Sequence, residues 1–319
     1  MRKRPTYQVP RFFDAKDKRL ASIIQLSDGP KSNAVNMIGV PYDGAVIGRK
    51  GAVEGPAAIR QVLGGAANYS PELGVDLMDA KIFDLGDLIL ASEDPEAVQA
   101  QVRDESSGTL DRSSLLVLLG GDNSISLGSI AACASKFGRI GLIILDAHYD
   151  LRGKMGGKPT NGSSYGLAIS SLKNELDPNR VVEIGVRGFV NSRVYGDEAK
   201  QLGITTYTPA DVRRLGTAKV AAEAYEKAAR GADVVYLSID IDCVDMAQVC
   251  GVSAPSAAGL ETWEVNEMVY YFGRQDKIVC SDLVELAPPL DPSGRSQVVA
   301  MTVLLHLIAG FRTRSSQPR

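Results

Sequence analysis

Gly141-Leu142-Ile143-Ile144-Leu145-Asp146-Ala147-His148-Tyr149-Asp150 runs from an apolar segment straight into Asp, His and Asp at alternating positions. The apolar part reads as a buried parallel strand, and the polar part as its C-terminal end. In open α/β sheets that edge is where ligands bind. A second stretch repeats the arrangement: Val234-Val235-Tyr236-Leu237-Ser238-Ile239 leads into Asp240-Ile241-Asp242. Alternation places Asp146, His148 and Asp150 on one side of an extended backbone, and likewise Asp240 with Asp242. Carboxylates and an imidazole converging there would repel one another unless cations sat between them. Oxygen donors with a little imidazole suit manganese, magnesium or iron better than a thiolate-loving metal. The chemistry indicated is a two-metal hydrolase, in which two cations about 3.5 Å apart make water a nucleophile near neutral pH.

Outward from these two stretches, strand and helix signals alternate. Strands are expected at Met37 to Val40, Leu115 to Leu119, Val181 to Gly185, Ile204 to Tyr207 and Ile278 to Glu285. Helices are expected from Gly55, with Pro56 in the first turn, and over Val298 to Ala309. This order predicts an α/β fold, a three-layer αβα sandwich around a mainly parallel sheet. No composition break marks a linker, so residues 1–319 are expected to form a single domain. An irregular arm occupies about residues 1–33, and a polar tail about 312–319.

The net charge of −3 gives no electrostatic argument for nucleic acid or an anionic membrane. No apolar stretch spans a bilayer and no signal-peptide core follows the basic N-terminus, so a cytoplasmic location is expected. Cys133, Cys243, Cys250 and Cys280 lack metal-type spacing and read as free thiols. His306, the second of only two histidines, lies in an apolar helical stretch and reads as structural. No Gly-x-Gly-x-x-Gly turn is present to suggest a dinucleotide.

Taken together the motifs resemble those of the arginase–agmatinase (ureohydrolase) superfamily, in order and over nearly the whole chain after about residue 35. They are Gly39-Val40-Pro41 with Gly55 to Arg60, Gly120-Gly121-Asp122-Asn123-Ser124, Asp146 to Asp150, Ser238 to Asp245, and Val284-Glu285 with Pro288. The resemblance implies an arginase-like fold and two Mn2+ ions per subunit bridged by hydroxide. It implies metal ligands at Asn123, Asp146, His148, Asp150, Asp240 and Asp242. It further implies that Glu285 faces the amidine or guanidine group of a small-molecule substrate, and that the chain forms a homo-oligomer, trimer or hexamer.

Two positions depart from the wider family. Asn123 stands where most members have a histidine ligand, so the adjoining metal should bind weakly. Asn161 stands where agmatinase-like members have a histidine for proton transfer, and an amide is no general acid. Gly-Gly-Asp-Asn-Ser, Gly156 to Gly162 and Gly185 to Ser192 resemble the formimidoylglutamase branch. That branch implies hydrolysis of N-formimidoyl-L-glutamate to L-glutamate and formamide, a step of histidine degradation, with Asp150 and Glu285 as catalytic residues. A substrate bearing two carboxylates needs donors outside the metal centre, and Arg152, Asn161, Ser163, Arg187, Asn191 and Ser192 are candidates. Arg187 leads them, because a guanidinium grips a carboxylate bidentately. Two alternatives are an agmatinase or guanidino-acid hydrolase releasing urea, and a metal-depleted, non-catalytic binding relative.

Overall fold

Why the apolar runs become parallel strands is plain from their burial. In a computed structural model that describes residues 2–8, 14 and 16–314, every residue of Val35–Val40, Leu115–Gly120, Ile140–Leu145 and Val234–Asp240 is buried. A strand covered on both faces has no use for polar alternation. Eight strands carry the sheet: β1 (Val35–Val40), β2 (Ile82–Leu88), β3 (Leu115–Gly120), β4 (Ile140–Leu145), β5 (Leu176–Ile184), β6 (Thr205–Tyr207), β7 (Val234–Asp240) and β8 (Ile278–Val284). They lie in the order β2-β1-β3-β8-β7-β4-β5-β6 and pair in parallel throughout.

Helices cover both faces. On one side Ile59 of α1 (Gly55–Leu63), Val212 of α6 (Pro209–Leu215), Val220 of α7 (Thr217–Ala229), Val265 of α8 (Thr262–Gly273) and Leu307 of α9 (Arg295–Arg312) join one apolar core. On the other, Val102 of α2 (Pro95–Leu110), Ile130 of α3 (Ser126–Phe137), Ala168 of α4 (Ser164–Ser171) and Ala199 of α5 (Arg193–Leu202) join a second. These are the three layers expected from the sequence. Among the described residues no helix is long and apolar enough to cross a membrane.

Three expectations are corrected. Strand β2 is absent from the sequence reading because Asp84, Gly86 and Asp87 interrupt its apolar pattern. Asp84 is tolerated in the interior because the Arg60 guanidinium grips both its oxygens, at 2.7 and 3.0 Å. The arm is not wholly irregular: Arg2–Lys3 adds to β2 antiparallel and Gln25–Leu26 adds to it in parallel, while residues 1, 9–13 and 15 lie outside the described part. The expected polar tail starts inside structure. Arg312 closes α9, and the buried Arg314 donates to the carbonyls of Gly273 and Ile278 at 2.8 Å each; residues 315–319 are outside the described part.

The sheet order positions the site. Strands β3, β8, β7 and β4 are consecutive neighbours, so their C-terminal ends deliver Asn123, Glu285, Asp240 with Asp242, and Asp146 to Asp150 to one edge. Gly121 makes the first approach close enough. A Cβ there would lie 1.7 Å from the Tyr42 carbonyl oxygen, and its own carbonyl accepts the Glu285 N–H at 2.9 Å.

Candidate metal centre and cavity

Asp146, His148 and Asp242 each offer a ligand atom, all within 4.8 Å of one another. The imidazole Nδ1 lies 3.1 Å from Asp242 Oδ2 and 3.4 Å from Asp146 Oδ1. Burial alone would depress the His148 pKa, but the carboxylates of Asp242 and Asp146 outweigh it and push it up to about 12. Burial, then the neighbouring Asp242, raises Asp146 to about 6. Asp240 and Asp150 are driven well above the usual carboxylate range, again by burial first and by other carboxylates second. Asp242 goes down: burial opposes ionisation, yet His148 more than compensates. Protons are thus shared among acids that cannot all ionise together, the electrostatic situation that a divalent cation relieves.

One atom supports that fit directly. Asp146 Oδ2 is buried with no hydrogen-bond partner, whereas its Oδ1 accepts the His148 N–H at 2.6 Å. A buried, unsatisfied carboxylate oxygen is costly unless something absent from the polypeptide engages it. Asp240 Oδ1 accepts the Asp242 N–H at 2.9 Å, which fixes the Asp-x-Asp turn. Asp150 and Glu285 both hold left-handed backbone, with φ of 46° and 66°. Non-glycine residues in that region cost about 1–3 kcal/mol and concentrate at functional sites.

These groups open into a cavity of about 410 Å³ lined by His148, Asp150, Arg152, Asn161, Asn191, Ser192, Asp240, Asp242 and Glu285, among others. That size is ordinary for a small-molecule site. Glu285 is buried and pushed up to about 8 by burial and then by Asp122. Its Oε1 accepts from the Asn123 N–H at 2.8 Å and from Asn161 Nδ2 at 3.0 Å, while Oε2 is buried without a partner.

Several expected roles change. The Asn123 side chain is engaged elsewhere than on a ligand position: Nδ2 donates to Asp150 Oδ2 at 2.7 Å and Oδ1 accepts from Ser126 Oγ at 2.9 Å. It buttresses Asp150. Ser163 is fully buried away from the cavity, in a capping box with Thr160. Asn191 lines the cavity, yet its Oδ1 takes the Tyr149 N–H and its Nδ2 donates to the carbonyls of Ala147 and Arg187. Ser192 lines the cavity and caps α5. His306 is structural as expected, its ring Nδ1 2.8 Å from the Thr302 carbonyl.

Arg187 is the main correction. It is 7% exposed, and its guanidinium donates to the carbonyls of Gly185, Asp242, Cys243, Val244, Ser256 and Ala257. No donor is left for a substrate, and the side chain does not line the cavity. It pins the 242–257 loop to β5. Arg187→Ala is expected to destabilise the fold by about 3 kcal/mol or more, since it orphans several buried carbonyls. Urea denaturation checks this; a parental midpoint with a raised KM would restore the clamp role.

The free guanidinium is Arg152. Among the described residues it is the only lysine or arginine lining the cavity, and its Cζ lies 5.3 Å from the Tyr195 ring centroid. Lys154 and Lys158 pair outside with Glu96 and Asp94. Tyr195 and Ser253 were not legible as site residues. Ser253 lines the cavity with a buried, unpartnered Oγ, but its loop shows no motif.

A model of the Arginase family matches residues 33–310. Formimidoylglutamase of Halalkalibacterium halodurans is 32% identical over 301 residues, which is 94% of each chain. The crystal structure of formimidoylglutamase from Bacillus subtilis superposes with a TM-score of 0.88 at 29% identity, covering 96% of this chain and 95% of that one. Formiminoglutamase of Trypanosoma cruzi, solved with Mn2+2, gives a TM-score of 0.85 at 26% identity, covering 93% and 99%.

Proposed function

This chain belongs to the arginase family, and on that premise we propose that it hydrolyses N-formimidoyl-L-glutamate to L-glutamate and formamide. The observation that carries the choice of substrate is Arg152, a guanidinium without a carboxylate partner among the described residues, in an otherwise acidic cavity. An amidine with carboxylates at its far end satisfies both the acids below and the cation above. Agmatine, with a second cationic end, would meet Arg152 as a like charge.

Asp146, His148, Asp150, Asp240 and Asp242 would hold a pair of manganese ions. When bound, such a pair supplies Lewis acidity and a water-derived nucleophile near neutral pH. The remaining steps belong to the protein. Glu285 turns its unpartnered Oε2 to the amidinium, whose charge draws the carboxyl back to its ionised form. Asp150, held through Asn123, carries a proton to the leaving glutamate amine. Arg152 takes a substrate carboxylate, and Ser192 lines the same cavity. The same reading extends to one domain over the whole chain, a trimer or hexamer, and a cytoplasmic location.

Product analysis with manganese-loaded protein tests the reaction. Formimidoylglutamate, arginine, agmatine and guanidinobutyrate are offered in parallel. Formamide from the first alone is expected. Urea from any of the others would transfer the protein to the guanidino-hydrolases.

A further inference from the structure

We propose that Asn161 is the positioning residue for Glu285, holding that carboxylate in one orientation while seating the loop that walls the cavity. The proposal rests on Glu285 being the amidine-facing acid. Asn161 Nδ2 donates to Glu285 Oε1 at 3.0 Å, and Asn161 Oδ1 accepts the Ile47 N–H at 3.0 Å. The Asn161 N–H donates to the Ala45 carbonyl, also at 3.0 Å. Ile47 and Gly48 line the cavity, so one amide ties a cavity wall to the acid at its floor.

Residue chemistry accounts for the choice of asparagine. A primary amide offers a donor and an acceptor on one planar group, whereas a carboxylate offers acceptors only. The Thr160–Ser163 capping box fixes the backbone that carries it. With Asn161 in place, both side-chain-directed donors fall on Oε1 of Glu285 and Oε2 stays buried and unpartnered. With only the Asn123 N–H remaining, the carboxylate could rotate or exchange its oxygens. Asn161 therefore acts on substrate through Glu285, in contrast to the direct substrate contact expected from the sequence.

Asn161→Asp and Asn161→Ala separate the two halves of this role. The aspartate keeps an acceptor for the Ile47 N–H but sets a second carboxylate against Glu285; the alanine loses both bonds. In full-length, manganese-loaded protein with formimidoylglutamate, kcat is expected to fall about 10- to 100-fold in both. Asn161→Asp is expected to be the slower, with KM little changed and with parental melting temperature and manganese content. A parental kcat in Asn161→Asp would show that only loop seating matters, and a parental kcat in Asn161→Ala would remove the role altogether. Either overturns the proposal. Glu285→Gln separates the two levels of the argument. If it retains kcat, the assignment of Glu285 is wrong; if it loses kcat while Asn161→Asp does not, only the positioning role is wrong.

Discussion

Asp146→Asn is expected to reduce turnover to below about one thousandth of the parent and to abolish the rise in melting temperature that manganese confers. Asp146 supplies one of the three clustered ligand atoms and carries a buried oxygen that nothing among the described residues satisfies. The substitution keeps shape and removes charge from a cluster in which burial and Asp242 already push Asp146 to about 6. The metal-free variant should therefore melt no lower than the metal-free parent, because a like-charge repulsion is relieved. Only the metal-dependent increment should disappear.

The same charges set a pH dependence. Cation uptake requires Asp146 ionised and His148 without its proton. Asp146 gains its proton as pH falls through about 6, so manganese affinity of the parent should weaken below that value. His148, pushed up to about 12, still holds its proton at neutral pH and must release it on binding. Calorimetry in two buffers of different ionisation enthalpy should register that release. A parental manganese-induced melting shift in Asp146→Asn would sink the ligand assignment.

Arg152→Ala is expected to raise KM for formimidoylglutamate about 10- to 100-fold with a smaller effect on kcat, the signature of a lost charge-assisted bond far from the reacting carbon. The guanidinium lies against Tyr195 and has no carboxylate partner among the described residues. Arg49, the nearest alternative in sequence to the cavity loop at 47–48, already donates to the carbonyls of Val252 and Ser253. Lys154 and Lys158 are held by acids of the 94–96 segment. Among the described residues no other lysine or arginine lines the cavity to replace it. Arg152→Glu should extend the effect, because it sets a negative charge against the substrate carboxylates. Steady-state kinetics decide the matter; an unchanged KM in both variants would leave the substrate's far end without an anchor here.

How far the sequence reached depends on range. Strands β3 and β4 were legible because burial on both faces demands unbroken apolar runs, and β7 and β8 because theirs are interrupted only by Ser238 and by Ser281 with Asp282. β2 was not, since its acids are neutralised by Arg60, which is more than twenty positions away. Asp146, His148 and Asp242 were legible as candidate ligands because alternation after a strand is a local signal. Asn123 was legible as unusual, but not as the support of Asp150.

The arginine assignments separate the two kinds of information most clearly. Local pattern determined the layered parallel sheet and the edge on which the acids meet, whereas the expectation of a cation for the substrate's far end came from the family resemblance. Tertiary structure alone decided which arginine is free to serve. Arg187 follows a strand in the expected place, but six carbonyls brought together from 185 and 242–257 absorb its donors. Arg152 remains available because it meets Tyr195 over the ring face, a contact that takes up none of its N–H donors. Residue type and spacing establish what a side chain can bond. Which partners reach it first is set by chain segments far apart in sequence, whose meeting is fixed by strand order.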